Sequence, residues 1–538
     1  NRTLQLKIIN IPVKPMQKGQ RPSTQLRFLI IVILVIGIFF RFFNLSRKVY
    51  WPDETFTSLR IAGYTKTEVV EKLYNGQVIG VEYLQNYQRL NSEKGIWDTI
   101  KGLALEEPQH TPFYYLIARG WAQLFGDSVA TIRSLSAWIS LLAFPCIYWL
   151  CIELFNSPVT GWVAIALLSI SPFHVLYAQE ARPSSLWTVA ILLSSAALLR
   201  AMRQSKNIAG WGIYTATVIV SLYSFLFSGL VMIGHGIYVF AIERFRINKT
   251  VIAYLIASCT GILTLAPWGY AVTANLAQAT TTTNWSGTKV SLFILLTMWA
   301  GNLSRLFFDS GLGSNDSLIK LLPLITVILP ILLLFGYAIG FVIRQTPKSV
   351  WLFILALGSV TFLALVLPDL ILGGRRSGVA RYPIPCYLAI QLAVSHLIAT
   401  HITHHRRQKL WRIVFIALLT GGILSCTISS QAQVWWNKGP ERTKYNPQIA
   451  QIVNRAAKPL IISDAKLDIV QSLGYLLDPK VQLQLVIEPN IPKIADNFSD
   501  IFLYRPSRTL RSGIEQAQGY KTEPAYQGSE IWLYRLSK

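Results

Sequence analysis

The first cluster of residues that could do chemistry is Tyr50-Trp-Pro-Asp53-Glu54, in which two carboxylates follow an apolar stretch. A carboxylate held at a membrane surface could remove the proton of an acceptor hydroxyl, which is the general-base step that a sugar transfer needs. The alternative is an ordinary helix start, because proline favours the first helical position and acids favour the first turn. The pattern alone leaves both interpretations open.

A second acidic cluster, Glu106-Glu107-Pro-Gln-His110-Thr-Pro112, precedes Phe113-Tyr-Tyr. Its alternative interpretation is an acidic loop before a helix that begins at a proline. A third cluster, Gln179-Glu180-Ala-Arg182-Pro183, joins two apolar stretches. Glu180 and Arg182 could simply pair with each other at a helix end.

Three arginines, Arg375, Arg376 and Arg381, alternate with glycines in a short loop. Guanidinium groups suit a phosphate because they make charge-assisted and often bidentate contacts. A loop that pairs its own charges, or one that contacts lipid headgroups, would give the same pattern.

The elements that position these clusters are membrane spans. The chain has 538 residues, of which 52% are hydrophobic and only 14% charged, against about 25% charged in soluble proteins. This composition excludes a conventional soluble enzyme and predicts a polytopic, mostly α-helical membrane protein. The formal charge of +24 does not indicate nucleic acid, because the basic residues form short clusters between apolar stretches, as in cytoplasmic loops.

About eleven stretches are apolar and long enough to span a bilayer, for which roughly 17 to 25 residues are needed. The first follows a basic leader (Arg2, Lys7, Lys14, Lys18, Arg21) and is predicted to be an uncleaved signal anchor. The eleven stretches lie near residues 26–43, 129–153, 158–177, 183–200, 208–224, 228–242, 251–268, 318–343, 350–367, 382–400 and 412–429.

Two weaker stretches, 112–125 and 290–308, would raise the count to thirteen. Four loops between the apolar stretches are rich in Lys and Arg, which favours the cytoplasmic side for all of them. An even number of spans must then separate each neighbouring pair of these loops. That condition favours eleven spans. Residues 1–429 are then a transmembrane catalytic domain, with a first outer loop at 44–128.

After Ser430 the apolar runs shorten to strand length at 459–463, 481–487, 500–504 and 531–534, with helical patterns between them. This alternation predicts a small α/β domain over 430–538. With eleven spans, the α/β domain lies on the side opposite the cytoplasm. The first outer loop, the 179–182 turn and the arginine loop lie on the same side. Basic residues outside run against the positive-inside tendency, so the arginines need a function.

The order of several short motifs resembles the GT-C glycosyltransferases, and most closely the protein O-mannosyltransferases and the lipid A aminoarabinose transferases with their bacterial relatives. The resemblance covers residues 26–200 well and 370–400 moderately. Its motifs are Arg41 to Asn44-Leu, Trp51-Pro-Asp53-Glu54, Glu107 to His110-Thr-Pro-Phe-Tyr-Tyr-Leu, Trp121 to Leu124-Phe-Gly-Asp-Ser, Ile132-Arg133-Ser-Leu-Ser-Ala, Tyr177-Ala-Gln-Glu-Ala-Arg-Pro and Arg381-Tyr-Pro-Ile-Pro.

The resemblance implies transfer of a sugar from a polyprenyl-phosphate carrier to a hydroxyl of a protein, lipid or polysaccharide. The active site and the C-terminal domain would face away from the cytoplasm in a plasma (inner) membrane. By the same resemblance, Asp53 would be the base and Glu54 would orient either Asp53 or the acceptor.

The pocket for sugar or acceptor would include Glu107, His110, Gln179 and Glu180. The donor phosphate would bind Arg375, Arg376, Arg381 and Arg182. No metal site or cofactor is required, although Mg²⁺ or Mn²⁺ is compatible with this chemistry.

A lipid or sugar transporter, or flippase, is the alternative with the same composition. Transporters place ionisable residues at the bilayer midplane and often show internal repeats, whereas here the acids gather in outer loops. A scaffold subunit that keeps the fold without activity is a second alternative, against which the retained acids and arginines argue.

Overall fold

The computed structural model describes residues 23–205, 207–313, 319, 322–404, 407–495, 497–528 and 530–537. The basic leader before residue 22, Lys206 and Arg406 lie outside these ranges. Two bodies form the fold: a bundle of apolar helices and a mixed sheet with helices on both faces.

Within the described residues, seven helices are long and apolar enough to cross a membrane, and nine if each of two bent pairs counts as one span. The seven are Thr24–Phe42, Val129–Phe155, Ser184–Arg203, Leu322–Gln345, Lys348–Leu372, Ile384–Thr403 and Gln408–Gln431. The bent pairs are Pro158–Ser169 with Pro172–Ala178 (62°) and Lys249–Thr264 with Ala266–Ala274 (50°).

Three shorter apolar helices are Ile208–Ser224, Ser228–Ile242 and Leu292–Ser304. The first two lie at predicted spans and have 17 and 15 residues, so they rise only about 22 to 26 Å at 1.5 Å per residue. The weak stretches form helices of 13 residues, Phe113–Phe125 and Leu292–Ser304. The protein is therefore a multi-pass membrane protein, while the count of eleven stays a prediction.

The span at 158–178 breaks because Pro172 begins a new helix after Ser171. The break frees carbonyl groups inside the bundle, where an unpaired group is costly. Arg41, buried near the end of the first span, donates to the carbonyls of Ser169 and Leu168. The bend brings the 179–182 turn beside the end of the first span.

The sheet has strands β1 (Asn75–Gly80), β2 (Pro459–Ser463), β3 (Gln482–Val486), β4 (Asp500–Tyr504), β5 (Lys521–Gln527) and β6 (Ile531–Ser537). Their order is β1-β3-β2-β4-β6-β5. The central pairs β2–β3 and β2–β4 are parallel, and the pairs toward both edges are antiparallel. Four of the six strands lie in the four runs that the sequence predicts.

β1 comes from the first outer loop and pairs antiparallel with β3, so that Asn75 faces Val486 and Gly80 faces Gln482. The sheet with its helices is called the sheet lobe below (residues 66–86 and 446–537). One face packs against helices of both segments, in a core that includes Leu73, Leu84 and Leu473. The first outer loop and the C-terminal segment thus share one core, and the boundary at 429/430 stays a prediction.

The remaining helices are short and surround the sheet lobe or the bundle end that faces it. They are Pro52–Ala62, Lys66–Leu73, Val81–Asn86, Ile96–Glu106, Leu276–Thr283, Pro440–Thr443, Asn446–Arg455, Leu467–Gly474 and Arg508–Gln518, with 3₁₀ turns at Asn284–Gly287, Leu322–Leu324 and Arg376–Gly378.

Candidate active site

A cavity of about 1890 Å³ lies where the sheet lobe meets the bundle. Its polar wall carries Asp53, Arg182, Arg305, Arg375 and Arg381. Its apolar wall lies between two helices of the bundle and includes Phe293, Met298, Leu324, Ile325 and Ile328. The cavity can therefore hold a ligand that is charged at one end and apolar at the other.

Asp53 lies in the first turn of the helix Pro52–Ala62, called the Asp53 helix below, and faces the cavity. Pro52 pre-sets the first helical residue, as the sequence predicts. Asp53 Oδ2 pairs with Arg381 Nη2 at 2.9 Å, and the Asp53 side chain stays 24% exposed. Its Oδ1 accepts no hydrogen bond from the residues that the structure describes, so one carboxylate oxygen is open to the cavity.

Arg182 is buried beside Asp53 and reaches the same wall. Its guanidinium donates to the backbone oxygen of Asp53 at 3.2 Å, to Tyr115 Oη at 3.2 Å and to His110 Nε2 at 3.1 Å. Among the described residues it pairs with no carboxylate. Its positive charge is therefore available to an anion in the cavity.

Arg375 and Arg376 are neighbours with different surroundings. Arg375 lines the cavity, with its guanidinium 5.4 Å from the centre of the Trp285 ring. Arg376 Nη1 pairs with Asp369 Oδ1 at 3.1 Å and is absent from the residues that line the cavity. The structure thus brings Arg381 and Arg182 to Asp53, places Arg375 on the wall of the same cavity and leaves Arg376 outside it.

Glu54 points away from the cavity into a buried group of ions. Its carboxylate accepts from Arg133 at 2.6 and 2.8 Å, from Lys438 at 3.1 Å and from the Ala181 N–H at 2.9 Å. Burial would raise the pKa of Glu54, but Arg133 and Lys438 outweigh it and lower that pKa to about 2. Glu180 lies 3.4 Å from Lys438, and burial raises its pKa. These four side chains form the buried ion group (Glu54, Arg133, Glu180, Lys438).

Gln179 also lies outside the cavity lining. Its side-chain amide donates to the carbonyls of Phe40 at 2.7 Å and Phe43 at 2.8 Å. It fixes the 179–182 turn to the end of the first span. Glu180 and Gln179 therefore hold the turn from which Arg182 reaches the cavity.

Glu106 and Glu107 share one cation, because Arg60 lies 2.6 Å from Glu106 and 3.1 Å from Glu107. His110 accepts from Arg182. Burial, followed by the positive charge of Arg182, lowers the pKa of His110 well below its usual range. The ring is thus neutral, and Glu107 and His110 both line the cavity.

The sequence prediction names Arg305 only as a second choice for the phosphate site, and it omits three other cavity residues, Asp309, Trp435 and Trp436. Arg305 packs its guanidinium 3.7 Å from the centre of the Trp436 ring. Asp309 Oδ2 accepts from the indoles of Trp435 at 2.9 Å and Trp436 at 2.7 Å. The sequence signal for this part of the site was the Trp435-Trp436 pair after the last span. Asp309, which accepts from both indoles, lies 126 residues before Trp435, so the sequence could not indicate this contact.

The cavity does not present a metal site. Among the described residues no three His, Cys, Asp or Glu side chains are grouped so that they could hold a metal ion. The acids nearest Asp53 also have cations as partners, as Glu107 has in Arg60. The described residues therefore do not form a metal site from protein ligands alone, and the compatibility with Mg²⁺ or Mn²⁺ stays a prediction.

Residues 109–270 match the family model described as dolichyl-phosphate-mannose-protein mannosyltransferase. No curated protein sequence matches the chain significantly. The chain is similar to the crystal structure of ArnT from Cupriavidus metallidurans in the apo state, with a TM-score of 0.50, 12% identity and coverage of 94% of this chain and 97% of that chain.

The same ArnT bound to undecaprenyl phosphate gives a TM-score of 0.49 at 12% identity, with coverage of 96% and 98%. The oligosaccharyltransferase of Archaeoglobus fulgidus in complex with Zn and sulfate gives 0.49 at 11% identity, with coverage of 94% of this chain and 72% of that chain. The likeness to apo ArnT confirms the fold prediction, a mostly helical GT-C membrane protein with a small strand-containing C-terminal region.

Proposed function

We propose that the protein is an integral-membrane glycosyltransferase that moves a sugar from a polyprenyl-phosphate carrier to an acceptor hydroxyl. The observation that carries the proposal is the cavity, in which a carboxylate with one open oxygen and a wall of arginines lie beside an apolar wall. ArnT of the same fold has been crystallised with undecaprenyl phosphate, and the matched family model is described by a dolichyl-phosphate donor.

In this reaction the acceptor oxygen attacks the anomeric carbon, and its proton passes to Asp53. The bond between the anomeric carbon and the phosphate oxygen breaks, and the phosphate leaves with the electron pair. The products are the glycosylated acceptor and polyprenyl phosphate. The protein needs a base and positive charge for this reaction, since the phosphate is already a good leaving group.

Arg381, Arg375 and Arg182 take the donor phosphate in this proposal. Arg381 Nη2 pairs with Asp53 Oδ2 at 2.9 Å, and a phosphate anion would compete for the same guanidinium. A phosphate that takes this guanidinium would leave both oxygens of the Asp53 carboxylate open to the acceptor hydroxyl.

The apolar wall takes the isoprenoid chain of the carrier. Phe293 and Met298 come from the helix Leu292–Ser304, while Ile325 and Ile328 come from the helix Ile325–Gln345. A polyprenyl chain between these helices would leave its phosphate at the polar wall. The short helix Leu292–Ser304 is thus assigned to the carrier site whether or not it crosses the bilayer.

The other predicted site residues receive separate roles. Glu107 and His110 line the cavity and belong to the pocket for sugar or acceptor. Glu54, Glu180 and Gln179 hold the Asp53 helix and the 179–182 turn. Arg376 supports the arginine loop through Asp369, rather than touching the phosphate. No step of the reaction passes through a metal ion.

The protein is placed in a plasma (inner) membrane, with the cavity and the sheet lobe on the extracytoplasmic side. The contacts of Asp53 with Arg381 and Arg182 support one common side for the three polar loops. Ser92 is exposed at this end and Ser205 lies in a predicted cytoplasmic loop. In a Cys259→Ser background, Ser92→Cys should react with an impermeant thiol reagent from outside intact cells, while Ser205→Cys should not.

The test of the function uses purified protein in lipid nanodiscs with a polyprenyl-phosphate-linked hexose that is radiolabelled in the sugar. Serine- and threonine-containing peptides, a glycolipid and an oligosaccharide serve as acceptors. We expect the label on one acceptor class with release of one polyprenyl phosphate per transfer. If the protein instead moves the intact donor across sealed vesicles without breaking the bond, it is a flippase and the proposal is wrong.

A further inference from the structure

The cavity holds polar side chains that are buried but make no hydrogen bond within the part of the chain that the structure describes. Asn437 is 7% exposed, and both its Oδ1 and its Nδ2 lack a partner. Trp51 is 8% exposed, and its indole Nε1 lacks one as well. Both side chains line the cavity. Since buried polar groups in proteins are almost always hydrogen-bonded to protein, water or ligand, these atoms can bind a ligand that offers both donors and acceptors.

Asn437 is held in place by the residues around it. Lys438 is fully buried between Glu54 and Glu180, and Trp436 donates to Asp309 at 2.7 Å. The segment around Asn437 is therefore anchored on both sides. The backbone at Asn437 is thus fixed at the cavity wall, which holds the amide near any ligand that lies there.

Trp51 lies between Asn437's segment and the proposed phosphate site. A Cβ at Gly439, two residues beyond Asn437, would lie 3.1 Å from a carbon of the Trp51 ring. On its other side, the Arg381 guanidinium lies 5.8 Å from the centre of that ring. The Trp51 ring thus lies close both to the Asn437 segment and to Arg381, the partner of Asp53. A sugar attached to a phosphate at Arg381 and open to attack beside Asp53 would lie in this part of the cavity.

We infer that Asn437 and Trp51 form a hydroxyl-binding subsite that recognises the sugar of the donor. An amide and an indole N–H together offer two kinds of donor and one acceptor, which matches hydroxyl groups. This inference rests on the proposed function and names residues that neither the family match nor the motifs assign.

The charges around the subsite also select the class of sugar. Asp53 is paired with Arg381, Glu107 with Arg60, and Asp309 with two indoles and, at 3.7 Å, Arg305. Of this set only Asp53 keeps an open oxygen, which the acceptor hydroxyl needs in the proposed reaction, and Arg182 adds positive charge. A buried ammonium without a partner is costly. The subsite therefore fits a neutral, hydroxyl-bearing sugar better than an amino sugar.

The experiment compares wild type with Asn437→Ala and Trp51→Phe, the second of which removes the indole N–H and keeps an aromatic ring. Gln431→Ala is the matched control, because Gln431 is an exposed amide six residues before Asn437 and outside the cavity. Donors are a polyprenyl-phosphate hexose, its single-deoxy analogues and a polyprenyl-phosphate amino sugar. The readout is release of polyprenyl phosphate in the presence of acceptor.

We expect kcat/KM for the hexose to fall about 10-fold in Asn437→Ala, since one hydrogen bond in a buried site is lost, and less in Trp51→Phe. With one deoxy analogue the difference between wild type and Asn437→Ala should disappear, because neither enzyme can then make the bond. That loss of the difference does not depend on how stable the variant is. Gln431→Ala should match wild type, and the hexose should be preferred to the amino sugar.

Three results would overturn the inference while leaving the transferase standing. They are equal losses for Asn437→Ala with the hexose and with every deoxy analogue, a change confined to the KM of the acceptor, or a preference for the amino sugar. If wild type cleaved none of the donors, the proposed function itself would fail, and the subsite with it.

Discussion

Asp53 and Glu54 are neighbours in one helical turn, yet they lie in opposite environments. Asp53 pairs with one guanidinium, that of Arg381, and keeps one carboxylate oxygen open to the cavity. Glu54 is fully buried and bound by two cations and a backbone N–H. Successive residues of a helix point about 100° apart, so one turn can supply both a reactive group and an anchor. A carboxylate with all its partners inside the protein holds structure, whereas one with an open site can do chemistry.

The same contrast divides the arginines. Arg133 completes its bonds inside the protein, with Glu54 and with the carbonyls of Leu45, Lys48 and Val49. Arg182 and Arg375 pair with no carboxylate in the described chain. Residues of one type thus separate into anchors and candidate ligand contacts by the partners that they already have.

The largest expected effect is on transfer. Asp53→Asn keeps the shape of the side chain but cannot accept the proton, so kcat should fall by about 10²- to 10⁴-fold. Thermal unfolding should stay close to wild type, since Asp53 is partly exposed. Glu93→Gln, which changes an exposed carboxylate outside the cavity, is the control. A folded Asp53→Asn protein with normal turnover would remove Asp53 from the role of base.

The second prediction concerns the other carboxylate. Glu54→Gln leaves Arg133 and Lys438 buried without their shared anion, which should cost about 3 to 5 kcal/mol in the free energy of unfolding. The measurement is thermal or chemical unfolding in detergent, with the yield of folded protein. An enzyme with wild-type stability and reduced turnover would place Glu54 in the chemistry and break the contrast with Asp53.

The third prediction is that substitutions at neighbouring residues of the arginine loop change the rate of transfer to different extents. Arg375→Ala and Arg381→Ala should each raise the barrier by about 2 to 4 kcal/mol, on the order of 30- to 1,000-fold in rate, and lysine should restore only part. Arg376→Ala should keep its rate within about 5-fold, because Arg376 is half-buried, pairs with Asp369 and does not line the cavity. Steady-state transfer at several donor concentrations is the measurement. Equal losses at Arg375 and Arg376 would contradict the assignment.

The smallest effect should be a pH dependence of stability. The folded protein keeps His110 neutral because its pKa is lowered, whereas the unfolded chain takes up a proton below about pH 6.5. The free energy of unfolding should therefore fall as pH decreases below about 6.5, by up to about 1.4 kcal/mol per pH unit. Unfolding of wild type and His110→Gln between about pH 5 and pH 7 checks this. Identical slopes would show that His110 has the same pKa in the folded and unfolded states.

The sequence predicts much of this arrangement because its strongest signals are local. Apolar runs indicate the spans, and Pro52 with the two acids indicates the start of the Asp53 helix. It cannot predict which acid faces the cavity, because Arg133 and Lys438 reach Glu54 from residues 79 and 384 positions away. β1 was missed for a related reason: Asn75–Gly80 is short and mostly exposed, and only its pairing with β3 makes it a strand.

That pairing also sets an order of assembly. β1 and β3 are separated by about 400 residues of chain, all of which must be synthesised and inserted before they can meet. At about 5 to 20 residues per second, translation alone takes roughly 20 to 80 s over this interval. Until then the loop that carries Asp53 lacks its sheet partner, and Lys438, which pairs with Glu54, follows the last apolar helix of the described chain. The cavity is therefore completed only after that helix has been made. A chain that ends before β3 would contain that helix, Asp53 and Lys438 but would lack the strand that pairs with β1.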